Sequence, residues 1–428
     1  MLDLIVRRAN VIHHKTPVDI TCKDGKIVEI AANIEAQAIR EIDAAGRLVT
    51  PPFVDSHFHM DATMSLGFPR MNISGTLFEG IEVWDELKSH LTVEKVKERA
   101  LELLNWSIAR GTLAIRTHVD ICDPNLIAVD ALLEVREEMK AYVDMQLVAF
   151  PQDGYLRSQG AVELLAKALE KGVDVIGGIP HFERTMADGT ASIKALCELA
   201  TKRGLLVDMH CDETDDPLSR HIETLTYEIQ RLGLQGRVAA SHLTSMHSMD
   251  NYYVTKLLPL MAEAQVNCVC NPHINIVVQG RQDNYPKRRG LMRVPELIES
   301  GINVSFGHDC VMDPWYPLGT HDMLEVAHVG LHCLQMTGVE QIRAMFDCIT
   351  KAGAQTLCLE KYGLEPGCFA DMVILQAADP VEAIRLQPTR LYVIRRGEVI
   401  AETAPLSVRV MLENKEVEVD FTRQDQPG

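Results

Sequence analysis

Short apolar runs alternate with longer amphipathic stretches through the middle of the chain. The eight runs are LVTPPFVDSHFH (48–59), TLAIRTHVD (112–120), VDMQLVAFPQ (143–152), VDVIGGIPHFE (173–183), LLVDMHCDE (205–213), RVAASH (237–242), VNCVCNP (266–272) and INVSFGHDC (302–310). Helical periodicity separates them, as in 93–111 and 161–172. Near-continuous apolar strands that alternate with helices are typical of a parallel sheet. Eight such units over about 260 residues predict a (β/α)8 TIM barrel of the α/β class.

Both ends of the chain follow an all-β pattern instead. At the N-terminus, LIVRRANVI (4–12) precedes VDITCKDGKIVEI (18–30), in which Asp24-Gly25 is a strong hairpin signal. At the C-terminus, three short strands are predicted in ADMVIL (370–375), LYVIRRGEVIAE (391–402) and SVRVML (407–412). We therefore predict that residues 1–50 and 366–428 together form a small β-sandwich domain, and that residues 51–365 form the barrel.

Charge and cysteine usage narrow the function classes. A net charge of −18 argues against nucleic acid as a partner, because phosphate binding needs clustered Lys and Arg. No apolar run reaches the ~20 residues that span a bilayer, and the N-terminus lacks the layout of a secretory signal. Eleven cysteines without regular spacing indicate reduced thiols. These features predict a cytoplasmic protein that binds neither nucleic acid nor membrane.

Polar side chains collect where the eight predicted strands end. Active sites of (β/α)8 barrels lie at that edge, so this concentration favours a catalytic site. In PPFVDSHFHMD (51–61), the histidines at i and i+2 face the same side of a strand. The full set of strand-end residues is His57, His59, His118, Asp120, Gln152, His181, Glu183, His210, Asp212, Glu213, His242, Asn271, His308, Asp309 and Cys310.

Four of these residues are predicted to bind one metal ion. His57, His59, His210 and Asp309 come from the first, fifth and eighth strands, and the eighth strand of a closed barrel neighbours the first. Three imidazoles and one carboxylate suit Zn²⁺ or Fe²⁺ and leave a position for water. Such an ion lowers the pKa of bound water to about 7.

Three residues are predicted to act on protons at this centre. Asp309 can accept the proton of the water while it holds the metal. His242 could stabilise developing charge by a hydrogen bond. Glu213 could carry a proton to a substrate nitrogen and then to a leaving group.

The remaining strand-end residues have weaker interpretations. His118 and Asp120 have no evident coordination position and are interpreted as supporting or packing residues, while His181 is left open between a structural and a functional role. Asp212 is expected to point away from the metal. Binuclear enzymes built this way bridge two ions with a carboxylated lysine at the end of the fourth strand. That strand here ends at Gly178-Ile179-Pro180-His181, so a single ion is predicted.

The order of these motifs resembles the amidohydrolase superfamily, and within it the bacterial cytosine deaminases. The segments that carry the closer resemblance are SGTLFEGIEVW (74–84), RTHVD (116–120), VAFPQDG (148–154), IPHFE (179–183), HCDETDD (210–216), ASHLTSMHS (240–248), QGRQDNYPKRRG (279–290) and FGHDCVMDPWYPLG (306–319). The resemblance implies hydrolytic deamination of a free pyrimidine base, one iron or zinc ion per subunit, and a homo-oligomer.

The same resemblance implies how the base would bind. Gln152 would read the base edge that carries N–H and carbonyl oxygen, because an amide can both donate and accept. A nucleoside carries sugar on that nitrogen and would lose the donor. Leu77 and Trp315 match the pocket walls that sandwich the flat ring.

One position departs from the pattern of the family. A second aspartate usually lines the pocket near ring carbon 5, and here that residue is Cys310. A thiol leaves room for a methyl group and removes a charge that the methyl would desolvate. Our hypothesis is that the enzyme accepts 5-methylcytosine besides cytosine and 5-fluorocytosine. The alternatives are a plain cytosine deaminase, or a deaminase of another cyclic substrate such as isoguanine or creatinine.

Overall fold

The computed structural model describes residues 1–422, and its first strands belong to the β-rich end of the chain. They are β1 (Leu2–Ala9), β2 (Val18–Lys23), β3 (Lys26–Ala31), β4 (Ala38–Asp43) and β5 (Val49–Thr50). The first four form a sheet in the order β3-β2-β1-β4. Asp24 and Gly25 both have positive φ and form the turn between β2 and β3, as this dipeptide predicts for a hairpin.

Eight strands then build the barrel. They are β6 (Phe53–Phe58), β7 (Thr112–Asp120), β8 (Asp144–Phe150), β9 (Val175–Gly178), β10 (Leu206–Cys211), β11 (Val238–His242), β12 (Asn267–Cys270) and β13 (Val304–Phe306). All pairings between neighbours are parallel. At the seam, the Asp309 N–H donates to the His57 carbonyl and the His59 N–H donates to the Asp309 carbonyl, both at 2.9 Å. The predicted (β/α)8 barrel is confirmed.

The predicted runs at 48–59 and 173–183 each contain a second element besides the barrel strand. The run at 48–59 divides at Pro51 and Pro52, because proline has no N–H and restricts the residue before it. Its first part, β5, leaves the barrel and pairs with β14 (Met372–Leu375). The run at 173–183 ends as a strand at Gly178, and Pro180–Phe182 forms one turn of 3-10 helix.

Helices pack around the outside of the barrel. They are α1 (Leu77–Lys88), α2 (Val93–Ala109), α3 (Ile127–Met139), α4 (Ala161–Lys171), α5 (Met186–Arg203), α6 (His221–Leu232), α7 (Asn251–Ala264), α8 (Pro272–Val278), α9 (Val294–Glu299), α10 (Met323–Leu334), α11 (Val339–Cys348), α12 (Lys351–Thr356) and α13 (Pro380–Leu386). The periodic segments at 93–111 and 161–172 correspond to α2 and α4. No helix within residues 1–422 is both long enough and apolar enough to cross a membrane.

The two ends of the chain share one small core. β15 (Arg390–Arg395) and β16 (Glu398–Glu402) complete a second sheet in the order β16-β15-β14-β5. Leu4 and Ile20 of the first sheet and Ile374 of the second belong to the same buried cluster, so the sheets form a sandwich. The domain boundaries at 50 and 365 stay a prediction, and residues 423–428 lie outside the described residues.

One predicted strand does not join the sandwich. SVRVML (407–412) contains β17 (Val408–Leu412), which pairs with β18 (Lys415–Val419) as a separate two-stranded hairpin. Most side chains of the hairpin are exposed, so it has no buried face with which to join either sheet.

Candidate active site

The four residues predicted to bind metal converge at one edge of the barrel. His57 Nε2 and His59 Nε2 each lie 3.6 Å from Asp309 Oδ1. His59 Nε2 lies 3.0 Å from His210 Nε2. All four side chains are buried. Residues separated by up to 252 positions in the chain (57 to 309) therefore present their ligand atoms to one small volume.

The barrel seam positions this group. His57 lies in β6 and His59 directly after it, and their backbones bracket that of Asp309 through the two seam hydrogen bonds. Asp309 has a φ of 71°, and His242, at the end of β11, has a φ of 73°. Non-glycine residues in this left-handed region cost about 1–3 kcal/mol each and concentrate at functional sites. The strain therefore falls on two of the residues to which the sequence assigns a chemical role.

The electrostatics of the cluster fit a divalent cation. Burial, together with neighbouring histidines, holds the pKa of His57, His59 and His210 well below the usual value, so these imidazoles are neutral, as ligands must be. Burial and the nearby Glu213 raise the pKa of Asp309 well above its usual range, a cost that a cation beside it would offset.

Unpartnered polar atoms in the cluster point the same way. Both ring nitrogens of His57, Nδ1 of His210 and Oδ2 of Asp309 are buried without a hydrogen-bond partner within the described residues. Buried polar groups rarely remain unsatisfied, and metal coordination together with bound water would satisfy several of these atoms at once. The residues present fit the predicted ion, and their roles as ligands stay a prediction.

His118 lies closer to this cluster than the sequence indicates. Its ring centroid is 4.1 Å from that of His57, and His57, His59 and His118 form one geometric group that could hold an ion. Behind it, His118 Nε2 lies 3.5 Å from Asp208 Oδ1, and Asp208 pairs with Arg116 at 2.9 Å. The sequence could have indicated this position of His118 through the alternation of side chains along β7, because Arg116 and His118 must lie on the same face of the strand.

Asp120 and Asp212, two other strand-end residues, form hydrogen bonds with neighbouring structural elements. Asp120 accepts a hydrogen bond from Trp84 Nε1 at 2.8 Å, which agrees with a supporting role. Asp212 accepts bonds from Ser219 Oγ at 2.6 Å and from the Ile222 N–H at 2.9 Å, so it faces the loop before α6.

A pocket opens beside the cluster. It is lined by all four predicted substrate-binding residues, which the chain supplies from three different segments: Leu77, Gln152, and Cys310 with Trp315. Glu213, His242 and Asp309 line it as well. Sequence reasoning missed the apolar wall of the pocket, because a pattern of polar strand-end residues does not mark apolar ones. This wall consists of Ile81, Ile179, Phe182 and Ile274. His181, which the sequence left open, also faces the pocket.

Glu213 and His242 have electrostatic properties that fit their predicted roles in proton transfer. Burial raises the pKa of Glu213 to about 8, so the group can hold a proton at neutral pH. His242 Nδ1 lies 3.4 Å from Glu213 Oε1. Burial and the neighbouring His181 lower the pKa of His242 well below its usual value, which keeps this imidazole neutral.

Cys310 gives its side of the pocket an apolar character. The side chain is 3% exposed and clusters with Ile274 and Val278. Its Sγ lies 3.7 Å from Asp309 Oδ1. Burial and nearby carboxylates raise the pKa of the thiol well above its usual value, so Cys310 is uncharged.

Comparison with known proteins places this site in context. A model of the amidohydrolase family matches residues 40–403. The chain is 31% identical to N-isopropylammelide isopropyl amidohydrolase of Pseudomonas sp. (strain ADP), over 94% of this chain and 97% of that protein. It is 42% identical to the 5-methylcytosine deaminase from Klebsiella pneumoniae, solved with 5-fluorocytosine, with a TM-score of 0.93 over 95% of this chain and 99% of the other.

Proposed function

This chain belongs to the amidohydrolase family, and we propose that it deaminates free pyrimidine bases. The reaction converts cytosine to uracil and 5-methylcytosine to thymine by addition of water and release of ammonia, and 5-fluorocytosine is also a substrate. The observation that carries this proposal is the pocket in which Leu77, Gln152, Cys310 and Trp315 meet Glu213 beside the histidine cluster. The similarity to 5-methylcytosine deaminase supports it.

The family is metal-dependent, and the clustered histidines could bind a metal. We assign one divalent ion per subunit, Fe²⁺ or Zn²⁺, to His57, His59, His210 and Asp309. When bound there, the ion supplies a water molecule of lowered pKa. Imidazole and carboxylate ligands suit both metals.

The protein's own groups then move the protons. Asp309 accepts a proton from the attacking water through its unpaired Oδ2. Glu213 donates its proton to the ring nitrogen next to the carbon attacked. The resulting carboxylate then takes the remaining proton of the added oxygen and passes it to the amine as the C–N bond breaks, and the proton held by Asp309 returns to Glu213. His242 donates a hydrogen bond to the oxygen that adds to the ring, which stabilises the developing charge.

The pocket walls select the base. Gln152 donates to the carbonyl oxygen and accepts from the ring N–H, so a nucleoside, which lacks that N–H, leaves the amide oxygen unpaired. Leu77 and Trp315 hold the two faces of the ring. Cys310 contacts carbon 5 and tolerates a methyl group there, because the surrounding Ile274 and Val278 make this region apolar.

We propose that the protein acts in the cytoplasm as a homo-oligomer on a small-molecule base, and not on nucleic acid. The eleven cysteines, all within the described residues, are free, which agrees with a reducing compartment. Light scattering on the purified protein measures the subunit number.

Ammonia release from a panel of bases tests the function. Metal-free protein is reconstituted with Fe²⁺ or Zn²⁺ and offered cytosine, 5-methylcytosine, 5-fluorocytosine, isoguanine, creatinine and cytidine. We expect activity on the first three bases, none on cytidine, and loss of activity with a chelator. Activity confined to isoguanine or creatinine, or activity that survives full metal removal, would contradict the proposal.

A further inference from the structure

One wall of the pocket is made of the two loops that follow β8 and β9. The first loop carries Gln152 and the second carries Phe182, and both of these side chains line the pocket. Within residues 1–422, the side-chain amide of Gln152 has no hydrogen-bond partner, whereas its backbone N–H donates to the Phe150 carbonyl at 3.0 Å. The amide group therefore depends on the backbone of its loop for its direction.

The second loop holds that backbone through a single buried carboxylate. Glu183 accepts three hydrogen bonds from consecutive N–H groups of the first loop: Tyr155 at 2.7 Å, Leu156 at 3.0 Å and Arg157 at 2.9 Å. Hydrogen bonds to an ionised acceptor are about twice as strong as those between neutral groups. We call these three bonds the Glu183 clamp.

Two further contacts tie the loops together. Arg157 Nη1 donates to the Phe182 carbonyl at 3.1 Å, and its guanidinium lies 4.3 Å from the centre of the Phe182 ring. Gly154 has a φ of +95°, and a Cβ there would lie 2.9 Å from Arg157 Cβ and 3.1 Å from Glu183 Oε2. Only glycine allows the loop to close this tightly around the carboxylate.

We propose that Glu183 is a positioning residue that sets substrate affinity and base selection by fixing Gln152 through the clamp. The inference rests on the proposed function. Gln152 lies two residues before Gly154 in the same tight loop, so release of the three N–H groups lets the amide turn away from the base. Glu213 lies on another loop, so we expect proton transfer by this residue to be unaffected. Loss of the clamp therefore raises KM and leaves kcat nearly unchanged.

Glu183→Gln tests this in the metal-reconstituted, full-length enzyme. The amide keeps one acceptor oxygen but turns an NH2 toward a backbone N–H, and we expect about a tenfold higher KM for cytosine with kcat within about twofold. Gly154→Ala alters the first loop directly and is also expected to raise KM. This variant replaces Glu183→Gln as the test if Glu183→Gln does not fold. Metal content and Tm are measured for each variant.

Asp19→Asn is the matched control. Asp19 also accepts backbone N–H groups, from Arg8 at 3.0 Å and Ile34 at 3.1 Å, but it lies in the β-sandwich. We expect this variant to lower Tm without changing KM. An equal rise in KM for Asp19→Asn would mean that the effect reports general destabilisation, and would overturn the inference.

A double-mutant cycle separates positioning through Gln152 from other effects. If Glu183 acts through Gln152, Glu183→Gln adds nothing to KM in a Gln152→Ala background. An unchanged KM in both single clamp variants, or an effect of Glu183→Gln that persists in full without Gln152, would overturn the inference. Failure of the proposed function is distinct, because the wild-type protein would then deaminate neither cytosine nor 5-methylcytosine.

Discussion

We predict that replacing Cys310 with aspartate changes the preference of the enzyme between cytosine and 5-methylcytosine. The thiol is buried, uncharged and packed against Ile274 and Val278. A carboxylate at this position would stand beside the buried Asp309 and would have to be desolvated by any group on ring carbon 5. In the wild-type pocket, we expect the methyl group to contact an apolar surface instead.

The size of the effect follows from two contributions. Burial of the methyl group against Cys310 stabilises the complex by about 0.8 kcal/mol. Leaving a carboxylate without water beside that methyl costs about 1–3 kcal/mol. Together they amount to about 2–4 kcal/mol, so Cys310→Asp should lower the ratio of kcat/KM for 5-methylcytosine to that for cytosine by about 30- to 1000-fold.

The assay compares kcat/KM for the two bases in wild type, Cys310→Asp and Cys310→Ser. Serine is close to cysteine in shape and carries no charge, so this control should keep most of the activity on 5-methylcytosine. Metal content is measured for each variant, because Asp309 is adjacent. A wild type that ignores 5-methylcytosine, or an aspartate variant with an unchanged ratio, would refute the reasoning.

Three further predictions concern other parts of the site. Glu213→Gln should lower kcat by about 10²- to 10⁴-fold. In wild type, kcat/KM should fall as pH rises through the pKa of Glu213, because the proton that Glu213 donates is then lost. This pKa is about 8 without a metal, and a nearby cation would lower it. If kcat/KM of the variant falls at alkaline pH in the same way as that of wild type, the assignment of Glu213 is contradicted. Chelation should abolish activity and lower Tm, since an ion present at 100 times its Kd stabilises the fold by about 2.7 kcal/mol. An unchanged Tm on chelation of the wild-type protein would contradict the metal site, whereas an unchanged Tm is the expected result for His210→Ala, which lacks a ligand. Gly80→Val should raise KM about tenfold, because a Cβ at Gly80 would lie 2.3 Å from the Trp315 ring, and an unchanged KM would argue against Trp315 as a wall of the base site.

The fold could be predicted because its signals are local. Each barrel strand is a short apolar run, and the eight runs correspond to β6 through β13. The errors arose where a run of apolar residues contains a change of sheet. β5 and β6 lie in one predicted run that Pro51 and Pro52 divide, and only the tertiary structure shows that β5 pairs with β14. The hairpin of β17 and β18 has a strand pattern, but its partners cannot be read from that pattern.

The site could be predicted in part, for a geometric reason. Parallel strands of a barrel end at one rim, so strand-end residues such as His210 and Asp309 are expected to be near each other. The depth of His118 beside His57 was underestimated, because ring packing across the barrel interior depends on strand tilt and on the Asp208 side chain behind it. Ile81 lies in α1, outside the strand ends, and Phe182 lies between His181 and Glu183 but is apolar, so neither carries a polar signal.

The sequence by itself determined the class of fold, the rim on which chemistry is placed, and the residue types available for a metal and for proton transfer. Those properties depend on the order of apolar and polar residues along the chain. Only the tertiary structure decided which imidazoles face each other, which carboxylates are desolvated, and how Glu183 binds the loop that carries Gln152. These properties depend on distances and burial between residues that only the folded barrel and its loops bring together.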